Sequence, residues 1–170
     1  MTYVLGTGPL TSLARVGRLD VLEGLHREVL VTERVYRPFA EHAFRGAPPA
    51  RRVERAADDG LFRVFALPEG TEIVGSLREN PRLTRADAAT LSLADYAGGA
   101  AVADATYTRK LARVEGLRAR GTARLLVDAA ADGDRSPAEV LDLVDALLSA
   151  GWTPAPADYA EIVEALTDLD

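Results

Sequence analysis

The chain has 170 residues, of which 48% are hydrophobic, with a formal net charge of -6 and no cysteine. These values fit one folded domain with an apolar core, and they exclude disulfides and thiolate zinc sites. No apolar run approaches the roughly 18 residues of a membrane span, and the N-terminus lacks the basic and apolar regions of a secretory signal. We therefore expect a cytoplasmic protein with no membrane association. The negative charge argues against tight, non-specific binding of nucleic acid through overall charge.

The first half of the chain predicts short strands that alternate with helices. Continuous or alternating apolar runs mark the strands, and an apolar period of three to four residues marks the helices. In chain order we predict a strand at residues 3–5, helices at 9–16 and 19–25, a strand at 29–31, helices at 33–43 and 48–58, and a strand at 61–65. Pro38 falls inside the helix that Thr32 caps, so this helix either kinks or starts later.

The second half continues this alternation after an irregular segment at residues 68–82. In chain order we predict a helix at 86–96, a strand at 100–103, a helix at 106–115, a strand at 117–120, and helices at 122–131, 137–150 and 158–169. Alternating strands and helices require crossover connections, so we expect an α/β fold with a parallel sheet. The predicted organisation is a single domain over 1–170, with 45–82 as an insertion or irregular segment and 136–170 as a C-terminal helical pair.

Two carboxylates are predicted at the carboxyl edge of the sheet, where open parallel sheets bind their ligands. Asp104 follows the strand at 100–103 directly, and Asp87 lies in the first turn of the preceding helix. Two converging carboxylates are the minimum for holding Mg²⁺ or Mn²⁺, which prefer oxygen ligands. An Asp in a first helical turn is also a common partner of the helix dipole, so Asp87 has that alternative role.

Four runs of residues occur in a characteristic order along the chain. They are Tyr3–Asp20, Leu83–Ala94, Val102–Thr122 and Leu148–Tyr159. The first contains Gly17-Arg18-Leu19-Asp20, the second an acidic-alanine helix, the third an Asp followed by Gly-Thr, and the fourth Ser-Ala-Gly-Trp. This order resembles the PIN-domain family, in a branch found among prokaryotic toxin–antitoxin-like proteins. The resemblance covers nearly the whole chain apart from residues 45–82.

The resemblance implies a three-layer αβα fold in which helices flank a central parallel sheet of about five strands. It also implies a metal-dependent endoribonuclease, since active members of the family place acidic residues at four points around Mg²⁺ or Mn²⁺. Two of the matching positions are acidic here, Asp87 and Asp104. The other two are Gly6 and Pro38, where a ligand has been lost. Glu41, three residues after Pro38, shares its helical face and is a substitute candidate.

The remaining candidates are a hydroxyl and several arginines. Thr7 follows Gly6, and Arg109 lies five residues after Asp104, so both are candidates for contact with substrate; a solvated helix position is the alternative for Arg109. The densest basic cluster lies in the region of lowest resemblance and could follow a phosphate backbone. Its members are Arg45, Arg51, Arg52 and Arg55.

Three functions stay open on the sequence. The first is a catalytically impaired PIN-like module that binds RNA or a protein, either a second copy of the chain or a small antitoxin-like protein. The second is a divergent endoribonuclease that uses Asp87, Asp104 and Glu41 with weakly bound Mg²⁺ or Mn²⁺. The third is an assembly role in which the crevice is vestigial. Loss of two ligands favours the first function, because each missing carboxylate removes a negative charge and an oxygen ligand from the metal.

Overall fold

A parallel sheet forms the centre of the molecule. The computed structural model describes residues 1–68, 77, 79–133 and 135–169, and in these residues five strands pair in the order β3-β2-β1-β4-β5. All four pairings are parallel. The strands are β1 (Tyr3–Leu5), β2 (Val29–Thr32), β3 (Arg63–Phe65), β4 (Ala100–Val102) and β5 (Ala119–Arg120). The predicted parallel sheet of about five strands is confirmed.

Eight α-helices are present in the same residues, with a short 3₁₀ helix at Leu19–Leu22. They are α1 (Thr7–Arg15), α2 (Glu33–Phe44), α3 (Pro48–Asp58), α4 (Arg85–Tyr96), α5 (Thr106–Val114), α6 (Thr122–Ala131), α7 (Pro137–Ser149) and α8 (Pro156–Leu169). Of the helices in the described part of the chain, none has the length and apolar character needed to cross a lipid bilayer. A capping box formed by Ser136 and Glu139, two residues three positions apart in the sequence, begins α7.

The strands place alternate side chains on opposite faces of the sheet, which produces three layers. In β1, Tyr3 and Leu5 join one buried cluster, and Val4 joins the other. The first cluster draws its helical residues from α1, α2, α3, α6, α7 and α8, and the second draws its helical residues from α4 and α5. This arrangement is the αβα sandwich that the sequence predicted.

The structure specifies two regions in the first half of the chain more closely than the sequence did. Helix α2 starts at Glu33, where Thr32 Oγ1 accepts a hydrogen bond from the Val35 amide at 3.2 Å, and it continues through Pro38. The helix therefore does not start after the proline. Within the interval 45–82, α3 and the edge strand β3 are regular elements, and β3 pairs with β2 in the sheet. Residues 69–76 and 78, most of the predicted irregular segment, lie outside the described residues.

Candidate functional site

The carboxyl edge of the sheet brings Gly6 and Asp104 to neighbouring strands. Leu5 pairs with Val102 in register, and the Gly6 amide donates to the Val102 carbonyl at 2.9 Å. Asp104 lies two residues beyond Val102, and α1 and α6 both begin at this edge. Both residues therefore lie at the edge where open parallel sheets usually bind their ligands.

Both carboxylate oxygens of Asp104 accept hydrogen bonds from the protein. Oδ1 accepts from the Thr122 amide at 2.7 Å, and Oδ2 accepts from the Thr122 hydroxyl at 2.7 Å. The Trp152 indole Nε1 also donates to Oδ2, at 3.3 Å. Thr122 is the first residue of α6, so the carboxylate satisfies an amide at a helix N-terminus and interacts favourably with the helix dipole. Asp104 therefore links β4, α6 and the turn after α7.

Trp152 closes the Ser-Ala-Gly-Trp run at the end of α7. It is buried, with 8% of its surface exposed, and it contacts the carboxyl edge through the indole N–H. A buried indole N–H needs an acceptor, and Asp104 supplies one. No sequence signal identifies that acceptor, because the two residues are 48 positions apart.

Arg109 is held by protein groups at the same edge. Its Nη2 donates to the Asp158 carboxylate at 2.7 Å, and Nη1 donates to the Ala103 carbonyl at 3.2 Å and lies 4.0 Å from Asp104 Oδ1. The side chain is 18% exposed. Arg109 is therefore no freely solvated helix residue, because it ties α5 to the first turn of α8. Helix α8 begins at Pro156, two residues before the predicted start at 158, so Asp158 lies in its first turn.

The space around Gly6 admits a side chain only if the neighbouring atoms shift slightly. A Cβ atom at this position would lie 3.2 Å from the Val102 carbonyl oxygen and 3.9 Å from the Thr90 methyl group. The backbone at Gly6 has φ -79°, which every amino acid adopts, so glycine is not required by conformation. Asp87 lies one helical turn before Thr90 in α4 and is partly exposed. Gly6 is thus a neighbour of Thr90 in the middle of α4, one helical turn beyond Asp87.

Two of the other predicted positions lie at a pocket beside the carboxyl ends of β2 and β3. Pro38 and Glu41 line a pocket of about 350 Å³, together with Thr32 and Ala89. Asp104 and Asp87 are not among the residues that line it. Thr7 is exposed at the first position of α1. Among the described residues, no three His, Asp or Glu side chains are grouped so that they could hold a metal ion.

The comparisons with known proteins decide the family. A family model of a PIN domain matches residues 2–168. This chain belongs to the PIN-domain family. Among solved structures it is similar to a PilT N-terminus domain protein from the hyperthermophilic archaeon Sulfolobus solfataricus P2, with a TM-score of 0.51 and 15% identity over 79% of this chain and 96% of that chain. At that identity the likeness supports the fold alone. No curated protein matches this chain.

PIN domains generally depend on a divalent metal ion, and the residues at this edge do not fit one. Both oxygens of Asp104 already accept hydrogen bonds, and Gly6 has no side chain. Glu41 borders a pocket at the carboxyl ends of β2 and β3, whose lining includes Ala89 of α4 but not the side chains of Asp104 and Asp87. A Mg²⁺ ion needs near-octahedral oxygen ligation, which this set does not provide.

A second polar cluster in this PIN domain lies at the opposite edge of the sheet and was missed by sequence reasoning. The Tyr3 hydroxyl donates a hydrogen bond to Asp128, whose carboxylate also pairs with Arg27 at 3.5 Å and Arg124 at 3.1 Å. Burial first, and then the Asp128 carboxylate, raise the pKa of Tyr3 to about 12. Asp128 is only 4% exposed, so the two arginines compensate a buried negative charge. The cluster stabilises the fold far from the carboxyl edge.

Proposed function

We propose that this PIN domain does not hydrolyse RNA through a metal ion and acts in the cytoplasm as a binding module for RNA or a protein. The observation that carries the proposal is the bonding of Asp104, whose two oxygens accept hydrogen bonds from Thr122 and Trp152. A carboxylate that coordinates Mg²⁺ must give up such donors or share its lone pairs with them. Here the donors belong to a helix N-terminus and a buried indole, so giving them up would destabilise the fold.

The position of Gly6 supports the same proposal. An aspartate there would face Asp104 across neighbouring strands and add the second negative charge that a divalent cation requires. Glycine is not needed for the backbone conformation at this position, and a side chain would require the Val102 carbonyl or the helix to shift by only a few tenths of an ångström. Loss of the carboxylate therefore changes the chemistry of the edge and leaves the fold in place.

Exposed apolar side chains on the last two helices favour a protein as one kind of partner. Between 37% and 45% of their surface is accessible. They are Leu141, Leu148, Tyr159 and Val163. A second copy of the chain or a small antitoxin-like protein would cover such a surface. Light scattering after size-exclusion chromatography distinguishes the two, because only the first partner is present in a pure sample.

The alternative is a divergent endoribonuclease that uses Asp87, Asp104 and Glu41. Calorimetric titration with Mn²⁺, together with incubation of labelled RNA, separates the two proposals. We expect neither measurable Mn²⁺ binding at millimolar concentration nor cleavage. Cleavage by the wild-type chain that disappears in both Asp87→Asn and Asp104→Asn would overturn the binding-module proposal.

Restoring the lost ligand tests the physical reason for the proposal. In Gly6→Asp we expect Mn²⁺ binding to become measurable but weak, because one carboxylate is returned while Asp104 keeps its hydrogen bonds to Thr122 and Trp152. Gly6→Asn is the matched control, since it has the same size and no charge. If neither variant binds Mn²⁺, the missing charge at Gly6 does not by itself explain the loss, and the bonding of Asp104 is the main cause. Equal binding by both variants would contradict the electrostatic explanation.

A further inference from the structure

A groove of about 330 Å³ runs beside the edge strand β5, and we call it the β5 groove. Helices α5, α6 and α8 contribute to its walls. At one end it includes Gly121, next to Asp104, and at the other it includes Arg118, which contacts the sulfur of Met1. The groove therefore extends from the carboxyl edge of the sheet towards the opposite edge.

The β5 groove is strongly positive although the chain as a whole is negative. Five arginines line it, and only two carboxylates do, Asp158 and Glu161. The arginines are Arg109, Arg113, Arg118, Arg120 and Arg124. Three positive charges remain in excess here, against a formal net charge of -6 for the chain. Such a local concentration attracts anions despite the overall charge.

Three of these arginines are available to a ligand. Arg109 is paired with Asp158, and Arg124 with Asp128 and Glu161. Within the described residues, Arg113, Arg118 and Arg120 have no acidic partner, and all three are exposed. Exposed guanidinium groups bind an anion at little desolvation cost, and their planar donors match phosphate oxygens in pairs.

The spacing of the available arginines suits a chain of phosphates. Arg118 and Arg120 are two positions apart along the edge of the sheet, so their side chains leave the same face about 7 Å apart. Arg113 adds a third charge from the end of α5. No aromatic side chain lines the groove among the described residues. Without an aromatic platform, bases have nothing to stack on, and only the backbone is bound.

We propose that the β5 groove binds the phosphodiester backbone of a nucleic acid without distinguishing its bases or its sugar. The inference rests on the proposed function, because it supplies the binding module with a ligand. Guanidinium–phosphate contacts do not involve the 2′-hydroxyl, which is the group that distinguishes RNA from DNA. RNA and DNA of one sequence should therefore bind with affinities within about threefold of each other.

An acidic peptide is the competing polyanion, and the edge strand argues against it. A peptide that adds a strand to a sheet needs a free row of backbone groups. Strand β5 has only two residues, and the Ala119 carbonyl already accepts a hydrogen bond from Arg120 Nη1 at 3.2 Å. The groove therefore offers positive charge to a ligand, but few free backbone groups with which a peptide strand could pair.

The test is a fluorescence-polarisation titration of labelled single-stranded RNA and DNA over a range of salt concentrations, without divalent metal. The variant Arg113→Gln, Arg118→Gln, Arg120→Gln removes three charges from the groove. The matched control Arg45→Gln, Arg51→Gln, Arg55→Gln removes three exposed charges at and near α3, the basic cluster predicted from the sequence. We expect the groove variant to bind at least tenfold more weakly, with a slope of log K against log salt reduced by about 2. The control should bind as the wild type does.

Each outcome supports or overturns the inference. Equal losses in both triple variants, or tight binding of polyglutamate at the groove, would overturn it. Thermal melts followed by circular dichroism check that both triple variants are folded. If no nucleic acid binds and Mn²⁺ gives no cleavage, the proposal for the β5 groove is overturned, whereas the proposal of a non-catalytic protein remains. If nucleic acid binds in the groove and Mn²⁺ causes cleavage, the groove proposal is supported and the non-catalytic proposal is overturned.

Discussion

At the scale of single residues, the two acidic side chains at the carboxyl edge have different physical roles. Asp104 accepts hydrogen bonds from Thr122 and Trp152, whereas the Asp87 carboxylate has no bonding partner among the described residues. The backbone amide of Asp87 donates a hydrogen bond to the Thr84 hydroxyl at 3.0 Å. Asp104 therefore stabilises the fold, whereas the carboxylate of Asp87 is available to bind a ligand.

This difference predicts unequal effects on stability. Asp104→Ala should lower the free energy of unfolding by about 1–3 kcal/mol, because it leaves a helix N-terminal amide and a buried indole N–H without an acceptor. Asp87→Ala should lower it by less than about 1 kcal/mol, the usual contribution of a first-turn acid to the helix dipole. Urea denaturation of the two variants checks both values. A larger loss for Asp87→Ala would show that its carboxylate has a structural partner.

At the scale of elements, the Tyr3–Asp128 contact connects the first strand to α6 at the edge opposite the candidate site. The two residues are 125 positions apart, and both are buried. Arg27 lies over the Tyr3 ring at 4.8 Å and pairs with Asp128, so the loop before β2 is part of the same cluster. The cluster therefore joins β1, the loop before β2 and α6.

The raised pKa of Tyr3 predicts a loss of stability at high pH. The pKa rises from an ordinary value of 10.0 to about 12 in the folded chain, so Tyr3 is neutral in both states below pH 10. Between pH 10 and 12 the unfolded chain loses the proton first, and stability falls as the pH rises, by about 1–2 kcal/mol. Tyr3→Phe should remove this part of the pH dependence. Urea denaturation at pH 8 and at about pH 11 measures it.

Tyr159→Phe is the control for this experiment, because it removes the same hydroxyl group from a side chain that is 45% exposed. If Tyr3→Phe has the same pH dependence as the wild type, the Tyr3 proton is not linked to folding.

At the scale of the whole molecule, one buried cluster connects the first strand to the last helix. Tyr3 and Leu5 share it with Trp152 before α8 and with Ile162 and Leu166 inside α8. The C-terminal helical pair therefore completes the core on this face of the sheet. Apolar burial of this kind is the main favourable term in folding.

We accordingly predict one cooperative unfolding transition for the chain. Trp152 fluorescence reports the C-terminal pair, and far-ultraviolet circular dichroism reports all the helices, so the two urea curves should coincide. A fluorescence midpoint at clearly lower urea would show that residues 136–169 unfold as a separate unit. Leu166→Ala should shift both curves together, with a loss of about 2–5 kcal/mol, because Leu166 is 3% exposed.

Local patterns in the sequence were enough to predict most of the fold. The apolar strands, the proline that opens α3 and the capping box of α7 act within a few residues, so their signals can be found without tertiary structure. The alternation of strands and helices then requires a parallel sheet, which places Asp104 directly after β4 at its carboxyl edge. The order of motifs also identified the family that the PIN-domain model confirms.

The bonding of the candidate site was decided only by tertiary structure. The sequence by itself determined that a carboxylate follows β4 and that Gly6 provides none, since both are matters of residue type and position. It did not determine that Thr122 and Trp152 would bond to Asp104, or that arginines from α5, β5 and α6 would line one groove. Those contacts join residues far apart in the chain. Their partners depend on helix packing, which local patterns do not specify.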